Sequence, residues 1–390
     1  MTKTADGSLD VILQHELDEL RDAGLYRRLR QTCGRQGPRM SVDGREVLMV
    51  AGANYLGLAG DPQVIQAAKD ATDEFGCAAG SARLISGNLP LHETLEQDLA
   101  SFLDKDAALL FSSGYAANLG VITALAGSQD VIVSDSLNHA STIDACRLSG
   151  AETRVFRHND RQDLGRVLQS IHGYRRRLLV VDGVFSMDGD SADLSELVPL
   201  ARRHDMIVVV DDAHGFGILG KRGRGSAEQH GVDVDIHIGN LGKALGSFGA
   251  FVACSAEVQD YLVNRCRTFI FTCGLPPSTV AAARTALKIV AAEPERRAVL
   301  LDRAAQLRNG LSRVGYDVGT STTHIVPAII GENEATMQLS EAALGRGVFA
   351  QGIRYPSVPH GTARIRFTPT CEHTPADIDT VVRVFADLRD

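Results

Sequence analysis

The sequence lacks a long apolar run, cysteines at metal-binding spacing and an excess of positive charge. No stretch of about 18 or more uninterrupted apolar residues occurs, so we expect no membrane span. The seven cysteines include no CxxC pair, which argues against a disulfide framework and against a zinc site. The 40 basic and 48 acidic side chains give a formal net charge of −8. We therefore expect no nucleic-acid partner, because such a protein needs a clustered positive face.

The length and composition indicate a globular protein with two lobes. At 390 residues the chain is too long for one core of usual size. Its 44% hydrophobic and 23% charged residues are ordinary for a folded protein and leave little room for long disorder. The N-terminal stretch, residues 1–20, is acidic and broken by charges, unlike a secretory signal. We expect a cytoplasmic protein.

The middle of the chain predicts an α/β fold with a mainly parallel sheet. From about residue 106, short apolar runs alternate with amphipathic helical patterns, which is typical of a sheet buried on both faces. The remaining C-terminal pattern predicts a smaller α+β lobe, joined by a helix near residues 277–293. We predict an N-terminal segment at 1–55, a large domain at 56–285 and a small domain at 286–390. The strand-like runs of the large domain are AALLFSS, DVIVSD, RLLVVDGVF, MIVVVDD and GAFVAC.

The N-terminal segment predicts a helix followed by a hairpin. Leu9, Ile12, Leu13, Leu17 and Leu20 recur at helical spacing, and the pattern continues to Leu25 and Leu29. The Asp43-Gly44 pair between two β-rich runs is a strong hairpin signal. A further helix from about Pro62 to Phe75 should end at Gly76, which suits a helix terminus.

Two glycine motifs resemble nucleotide-binding sequences but lack the required context. Gly215, Gly217 and Gly220 have GxGxxG spacing, yet the residues that follow show no apolar period, so we expect a loop and no dinucleotide site. The Gly-Lys pair at Lys243 is not a Walker motif, because Ala244 replaces the required Ser or Thr.

Lys243 is the first candidate for chemistry. It lies in a loop of small residues, NLGKALGSFG, after the apolar segment DVDIHIG. A lone lysine is more often solvated, but one held among glycines at the edge of a buried sheet can lose hydration, which lowers its pKa and suits Schiff-base chemistry. A pyridoxal-phosphate site would also need an acid, a ring-stacking group, donors to the phenolic oxygen and a phosphate cradle.

Residues that follow the predicted strands can supply these groups. Asp211 ends an apolar run and can hold the pyridine nitrogen in its protonated form. His214 and Ser186 can reach the phenolic oxygen, and His139 can stack on the ring. Ser113, Gly114 and Tyr115 lie at a strand-to-helix junction, where backbone N–H groups bind anions. The pattern predicts no metal site.

These motifs together resemble the α-oxoamine synthase family of fold-type I pyridoxal-phosphate enzymes, over nearly the whole chain. The resemblance implies a fold-type I architecture, pyridoxal 5'-phosphate as cofactor and a homodimer with shared active sites. Members of the family join an amino acid to an acyl thioester with loss of carbon dioxide. The motifs that carry the resemblance are NYLGLA, GSARLISGNLPLHETLE, FSSGYAAN, DSLNHAS, DGVFSMDGD, VDDAHGFGILG and RYPSVPHGTARIRFTPT.

The resemblance also assigns roles to individual residues. It makes Lys243 the cofactor-binding lysine, which later moves the Cα proton, and it makes Arg366 the group that grips the amino-acid carboxylate. Ser357 matches a position that contacts substrate. Arg27 or Arg28 is implied near the acyl tail.

The substrates stay open at this point. RLISGNLPLHETLE is most similar to members that condense L-alanine with a pimeloyl thioester in biotin synthesis. The C-terminal motifs also resemble members that acylate glycine with acetyl-CoA, and an acyl thioester of secondary metabolism is a further alternative. The acyl carrier, CoA or acyl-carrier protein, is likewise open.

Three positions depart from the family pattern. Ala53 stands where relatives usually carry Asn, with Asn54 next to it as a candidate substrate contact. Asn240 replaces a phosphate-contacting Thr. Cys273 replaces the Thr that the partner subunit lends to the phosphate, and neighbouring Thr272 can substitute for it. These departures are the support for a different class of function, a non-catalytic binding or partner subunit.

Overall fold

The computed structural model describes residues 8–389. Residues 1–7 and Asp390 lie outside this range, and so does the beginning of the acidic N-terminal stretch. From Ser8 on, the chain forms one helix and three short strands: α1 (Leu9–Asp22), β1 (Thr32–Cys33), β2 (Arg39–Val42) and β3 (Arg45–Met49). Strands β2 and β3 are antiparallel around Asp43-Gly44, which confirms the predicted hairpin.

Helix α1 is shorter than the apolar pattern predicts. It ends at Asp22, whereas the pattern continues to Leu25 and Leu29. The helix stops because Gly24 takes a left-handed φ of 65°, and the Leu25 amide then bonds back to the Leu20 carbonyl at 2.7 Å. None of the residues of α1 is buried.

The large lobe is built on a seven-stranded sheet with the order β4-β10-β9-β8-β7-β5-β6. Strand β10 is antiparallel to β4 and β9, and the pairs from β9 to β6 are parallel. The predicted mainly parallel sheet is thus confirmed. The strands are β4 (Ala107–Phe111), β5 (Val131–Asp135), β6 (Glu152–Phe156), β7 (Arg177–Asp182), β8 (Ile207–Asp211), β9 (Ile236–Asn240) and β10 (Ala250–Cys254).

The helices of this lobe bury apolar faces against the sheet or against one another. Helix α2 has the predicted bounds because Pro62 suits a first helical position and Gly76 leaves the helix at a φ of 79°. The helices are α2 (Pro62–Phe75), α3 (Pro90–Phe102), α4 (Gly114–Leu125), α5 (Ala140–Ser149), α6 (Arg161–Gln169), α7 (Leu194–Arg202), α8 (Ser226–His230), α9 (Ala256–Arg265), α10 (Arg267–Ile270) and α11 (Pro277–Ala292), with a 3-10 turn at Leu58–Gly60.

The small lobe combines C-terminal elements with the N-terminal hairpin. Its elements are α12 (Pro294–Arg313), β11 (Val326–Gly331), α13 (Asn333–Gly345), β12 (Val348–Phe349), β13 (Gln351–Ile353), β14 (Ala363–Phe367) and α14 (Pro375–Asp387). Strands β11, β14 and β13 form one antiparallel sheet, and β12 pairs in parallel with β3. Leu48 and Val50 share a core with Ile365 and Phe367. The division at 1–55, 56–285 and 286–390 stays a prediction, with the hairpin packed on the last of these parts.

Two consecutive helices connect the lobes. The predicted helix near 277–293 is α11, which packs on α2 and α3 of the large lobe. Helix α12 spans both cores, because Leu300 belongs to the large-lobe cluster and Leu307 to the small-lobe cluster.

The GxGxxG segment forms a loop, as predicted. After β8 the next helix among residues 8–389 begins only at Ser226, so no helix opens at Gly215. Within the same described range, no helix is both long and apolar enough to cross a bilayer. The predicted cytoplasmic location and the predicted absence of a nucleic-acid partner stay predictions.

The lysine loop rests directly on backbone of the 3-10 turn, and this contact generates a stability prediction. Gly246 has a φ of 60°, and a Cβ there would meet the Ala59 nitrogen at 2.2 Å. Gly231 has a φ of 63° with nothing within 4 Å of an added Cβ. We expect Gly231→Ala to cost about 1–2 kcal/mol of unfolding free energy from its left-handed backbone alone. Gly246→Ala should cost a further 1–3 kcal/mol or so for overpacking.

Urea unfolding of the two variants, followed by circular dichroism, measures this difference. Equal losses for the two glycine variants would show that the lysine loop does not depend on its contact with Ala59.

Candidate active site

The carboxyl edge of the parallel strands carries a cavity of about 250 Å³. Strands β5, β7 and β8 end at Asp135, Asp182 and Asp211, and ligands in parallel sheets bind at this edge. The structure brings nine of the predicted site residues together in the cavity wall: Ser113, Gly114, Tyr115, His139, Ser186, Asp211, His214, Asn240 and Lys243.

Lys243 lies in the turn between β9 and β10, with its Nζ atom 2.8 Å from His214 Nε2. Burial lowers the pKa of Lys243 to about 8; the charge of Asp211 opposes this shift and that of Arg366 adds to it. A larger fraction of this amine is therefore uncharged near neutral pH than for a lysine with the ordinary pKa of 10.5. An uncharged amine is what covalent attachment to an aldehyde requires.

His214 joins the lysine to a buried tyrosine. Its Nδ1 atom lies 2.8 Å from the Tyr55 hydroxyl. Burial and the neighbouring Lys243 charge hold the pKa of His214 well below its ordinary value, so the ring is neutral. When Lys243 carries its proton it can only donate, so Nε2 accepts from the lysine and Nδ1–H donates to the Tyr55 oxygen.

Asp211 is held by a helix on one side and by its own turn on the other. Asn118 of α4 donates from Nδ2 to Asp211 Oδ2 at 2.5 Å and to Ser141 Oγ at 2.9 Å. The Ala213 amide donates to Asp211 Oδ1 at 3.0 Å. Ser141 Oγ lies 2.7 Å from His139 Nδ1, so one network orients both the carboxylate and the imidazole.

Asp182 stands beside Asp211 in the register of the sheet. Burial and the neighbouring Asp211 charge raise the pKa of Asp182 well above its ordinary value. Its carboxyl accepts from the backbone amide of His139 at 3.2 and 3.3 Å. This contact places His139 at the N-cap of α5, with its side chain open to the cavity, as stacking on a ring requires.

The N-terminus of α4 forms an anion cradle. Ser113 caps the helix by accepting from the Ala116 amide at 3.1 Å, and the first N–H groups of a helix have no partner within it. A Cβ on Gly114 would lie only 3.1 Å from Asn240 Nδ2, so the amide group of Asn240 closes one side. Free N–H groups and a side-chain amide suit a phosphate group. With Lys243 and Asp211, this donor set fits pyridoxal phosphate.

Arg366 reaches the same region from the small lobe. It lies on β14, and its Nε atom donates to the Ser186 carbonyl. The pKa of His214 is lowered mainly by burial and by the charge of Lys243, and the charge of Arg366 lowers it further. A half-buried guanidinium from the other lobe thus lies near Lys243 and His214, although it does not line the cavity wall itself.

The structure does not bring the other predicted residues to the cavity. Arg27 and Ser357 line a second, larger cavity of about 720 Å³. Thr272 and Cys273 line a separate small pocket of about 20 Å³ next to α10. The amide of Asn54 is committed to backbone: it donates to the Gln36 carbonyl and accepts from the Ala59 amide, both at 3.0 Å. The roles predicted for these residues stay predictions.

Sequence reasoning missed several residues that the structure places at the site. Asp182 ends an apolar strand as Asp211 does, so the same signal was available for both. Asn118 is a polar residue inside the apolar helix α4, which is a weaker signal. His324 left no signal: it is fully buried with its ring 4.3 Å from that of Tyr55, and burial lowers its pKa to about 3.

Comparison with known proteins gives a family and close relatives. Residues 45–385 match the family described as aminotransferase class I and II. An 8-amino-7-oxononanoate synthase of Geobacter sulfurreducens is 49% identical over 378 residues, 96% of each chain. The enzyme named 8-amino-7-oxononanoate synthase 2 of Bacillus subtilis is 45% identical and covers 97% of this chain and 98% of that one.

Solved structures show the same architecture. A serine palmitoyltransferase from S. paucimobilis, solved with bound PLP and myriocin, has a TM-score of 0.91 at 34% identity and covers 96% of each chain. The serine palmitoyltransferase of Sphingomonas wittichii has a TM-score of 0.92 at 32% identity, over 99% of this chain and 98% of that one.

The lowered pKa of Lys243 predicts how the cofactor-free protein captures pyridoxal phosphate. The rate of covalent attachment should rise with pH through about 8, because the amine loses its proton there and not at the ordinary 10.5. Stopped-flow absorbance over a pH series measures this rate. Lys243→Ala should show no borohydride-stable label. An inflection at 10.5 would contradict the burial of the amine.

Proposed function

Because this chain belongs to the aminotransferase class I and II family, and within it to the α-oxoamine synthases, we propose that it condenses L-alanine with a pimeloyl thioester. The reaction forms a carbon–carbon bond between the alanine Cα and the acyl carbonyl. It releases the thiol and carbon dioxide and leaves an aminoketone, 8-amino-7-oxononanoate.

The cofactor is pyridoxal 5'-phosphate, which when bound supplies an electron-withdrawing pyridinium ring that stabilises negative charge on the amino-acid Cα. Asp211, fixed by Asn118, keeps the ring nitrogen protonated. The residues proposed to hold the cofactor are Lys243 by a covalent link, His139 on the ring face, Ser186 and His214 at the phenolic oxygen, and Gly114, Tyr115 and Asn240 at the phosphate.

The observation that carries the proposal is the 2.8 Å contact between the Lys243 amine and neutral His214. The amine of Lys243, whose pKa burial lowers to about 8, would hold the cofactor and, in its uncharged form, would take the Cα proton as a general base. His214, held by Tyr55, would keep this amine in position.

Arg366 is proposed to bind the amino-acid carboxylate. A planar guanidinium binds a carboxylate through two parallel hydrogen bonds. Its Nε atom is already fixed on the Ser186 carbonyl, so the two terminal nitrogens can face the substrate. Anchored this way, the carboxylate is held in one orientation relative to the ring.

The second cavity supports a pimeloyl chain over a short acyl group. Arg27, Arg28 and Arg354 give its wall positive charge, whereas Arg30 is paired with Asp43 and Glu341 of the same wall. The apolar surface comes from Leu29, Met337, Phe349 and Ile353. A pimeloyl group is an apolar chain that ends in a carboxylate. Its acyl tail therefore matches the chemistry of this wall, with Ser357 at its margin.

A panel of thioesters and amino acids tests the proposed reaction. We expect pimeloyl thioester with L-alanine to give the highest kcat/KM, measured as thiol release together with carbon dioxide. Glycine with acetyl-CoA should be at least about tenfold slower, since an unfilled apolar pocket costs about 1–3 kcal/mol. The reverse preference would identify a glycine acyltransferase. No thiol release with any pair would favour a non-catalytic subunit.

We further propose a homodimer in which the partner lends Thr272 to the phosphate. Leu84, Ile85 and Phe271 are 52%, 79% and 71% exposed. The two segments that carry them meet at an isolated antiparallel bridge between Ala82 and Cys273. A second copy would cover this apolar patch, and Thr272 stands within it.

Ile85→Glu should convert the dimer to a monomer and weaken pyridoxal-phosphate binding. The reason is that a charge would be buried without a partner. Val155→Glu is the matched control, since Val155 is 58% exposed on β6 at the far edge of the sheet. Light scattering after gel filtration measures the mass. A dimeric Ile85→Glu protein would place the interface elsewhere.

A further inference from the structure

A histidine outside the cavity joins two acidic side chains that belong to different site segments. His158 follows β6 and is half-buried. Its Nδ1 atom lies 3.1 Å from Asp135 Oδ1 and its Nε2 atom 2.8 Å from Asp190 Oδ2. The ring packs edge-on against Phe185, with centroids 4.3 Å apart. Nothing in the proposed reaction uses this group directly.

Asp135 shapes the turn that carries the proposed ring-stacking residue. Its Oδ1 accepts from the Leu137 amide and its Oδ2 from the Asn159 amide, both at 2.8 Å. His139 follows at the end of the same turn and caps α5. The orientation of the Asp135 carboxylate therefore influences where His139 stands.

Asp190 closes the loop that carries the proposed phenolic-oxygen contact. Its carbonyl accepts from the Phe185 amide at 3.0 Å, and the Gly189 amide donates to the Phe185 carbonyl at 2.9 Å. Ser186 lies inside this closed loop, and its own carbonyl accepts from Arg366. A shift of Asp190 would move Ser186 and the contact to Arg366 together.

We propose that His158 is a positioning residue for the cofactor site. As an imidazolium it ties the Asp135 turn to the Asp190 loop and so fixes the spacing between His139 and Ser186. This inference rests on the proposed placement of pyridoxal phosphate between those two residues. It does not depend on which amino acid or thioester reacts.

The geometry requires the protonated form. Neutral histidine has a single N–H, so it can donate to one carboxylate only; the imidazolium donates to both. Burial lowers the pKa of His158, but hydrogen bonds and charge from Asp135 and Asp190 outweigh it and raise the pKa from 6.5 to about 10. The stabilisation is therefore complete below about pH 6.5 and is lost as the pH rises through about 10.

His158→Gln tests the role, with His172→Gln at an exposed histidine as the matched control. Glutamine cannot carry the charge that holds both carboxylates. We expect the affinity of the cofactor-free protein for pyridoxal phosphate to fall by about tenfold or more, the equivalent of one charged hydrogen bond. The pH dependence of the absorbance band of the bound cofactor should also change, because Ser186 and His139 no longer keep their spacing. The control should change neither property.

Two further measurements keep the test decisive if His158→Gln folds poorly. In the wild-type protein, the proton NMR signal of His158 should not titrate near pH 6.5 and should titrate only near 10. Asp190→Asn should weaken cofactor binding in the same direction as His158→Gln. Titration near 6.5, or wild-type cofactor affinity and absorbance in the His158→Gln protein, would overturn the proposal. These readouts need no acyl substrate, so failure of the proposed reaction would be seen separately as absent thiol release.

Discussion

The parallel pairing of β7 with β8 places Asp182 directly beside Asp211. The electrostatics of the whole site depend on this pair of neighbouring carboxyl groups. Two ionised carboxylates cannot stay adjacent and buried at low cost. Burial and the Asp211 charge raise the pKa of Asp182 well above its ordinary range, which favours the neutral form of Asp182. Asn118 fixes the neighbouring Asp211 carboxyl group by a hydrogen bond. A fixed carboxylate at this position is what a pyridinium ring needs.

The loop that follows β7 at this edge of the sheet also positions the small lobe. The carbonyl of Gly189 accepts from the amides of Thr322 and Thr323, each at 3.1 Å. A Cβ at Gly189 would meet the Ile325 carbonyl oxygen at 1.9 Å, so the two lobes touch backbone to backbone. The loop that holds Ser186 therefore also contacts the lobe that carries Arg366. The proposed cofactor contact and the proposed carboxylate contact thus share one mechanical support.

Features that depend on neighbouring residues, such as helix ends and buried strands, could be predicted from the sequence. Features that depend on pairing between distant segments could not. The bounds of α2 follow from a proline and a glycine at its ends, and the apolar runs predict the sheet. Edge strand β6 was missed because four of its five residues are exposed, which leaves no apolar run. The pairing of β3 with β12 joins segments about three hundred residues apart, which no local pattern encodes. Likewise Asn118 lies on a helix, and only the fold brings it to Asp211.

Asp211 and Asp212 are adjacent in sequence, but the first side chain belongs to the candidate site and the second stabilises the fold. Asp211 faces the cavity, whereas Asp212 is fully buried and accepts from the Ser226 amide at 2.7 Å. Burial raises the pKa of Asp212 to about 7. A Cβ at Gly215 or Gly225 would lie 2.1 or 1.8 Å from its carboxylate oxygens. Of the glycines that imitate a nucleotide motif, Gly215 is thus required by the packing of a carboxyl group. Because Asp212 holds the loop after β8, Asp211 and His214 keep a fixed position relative to Lys243.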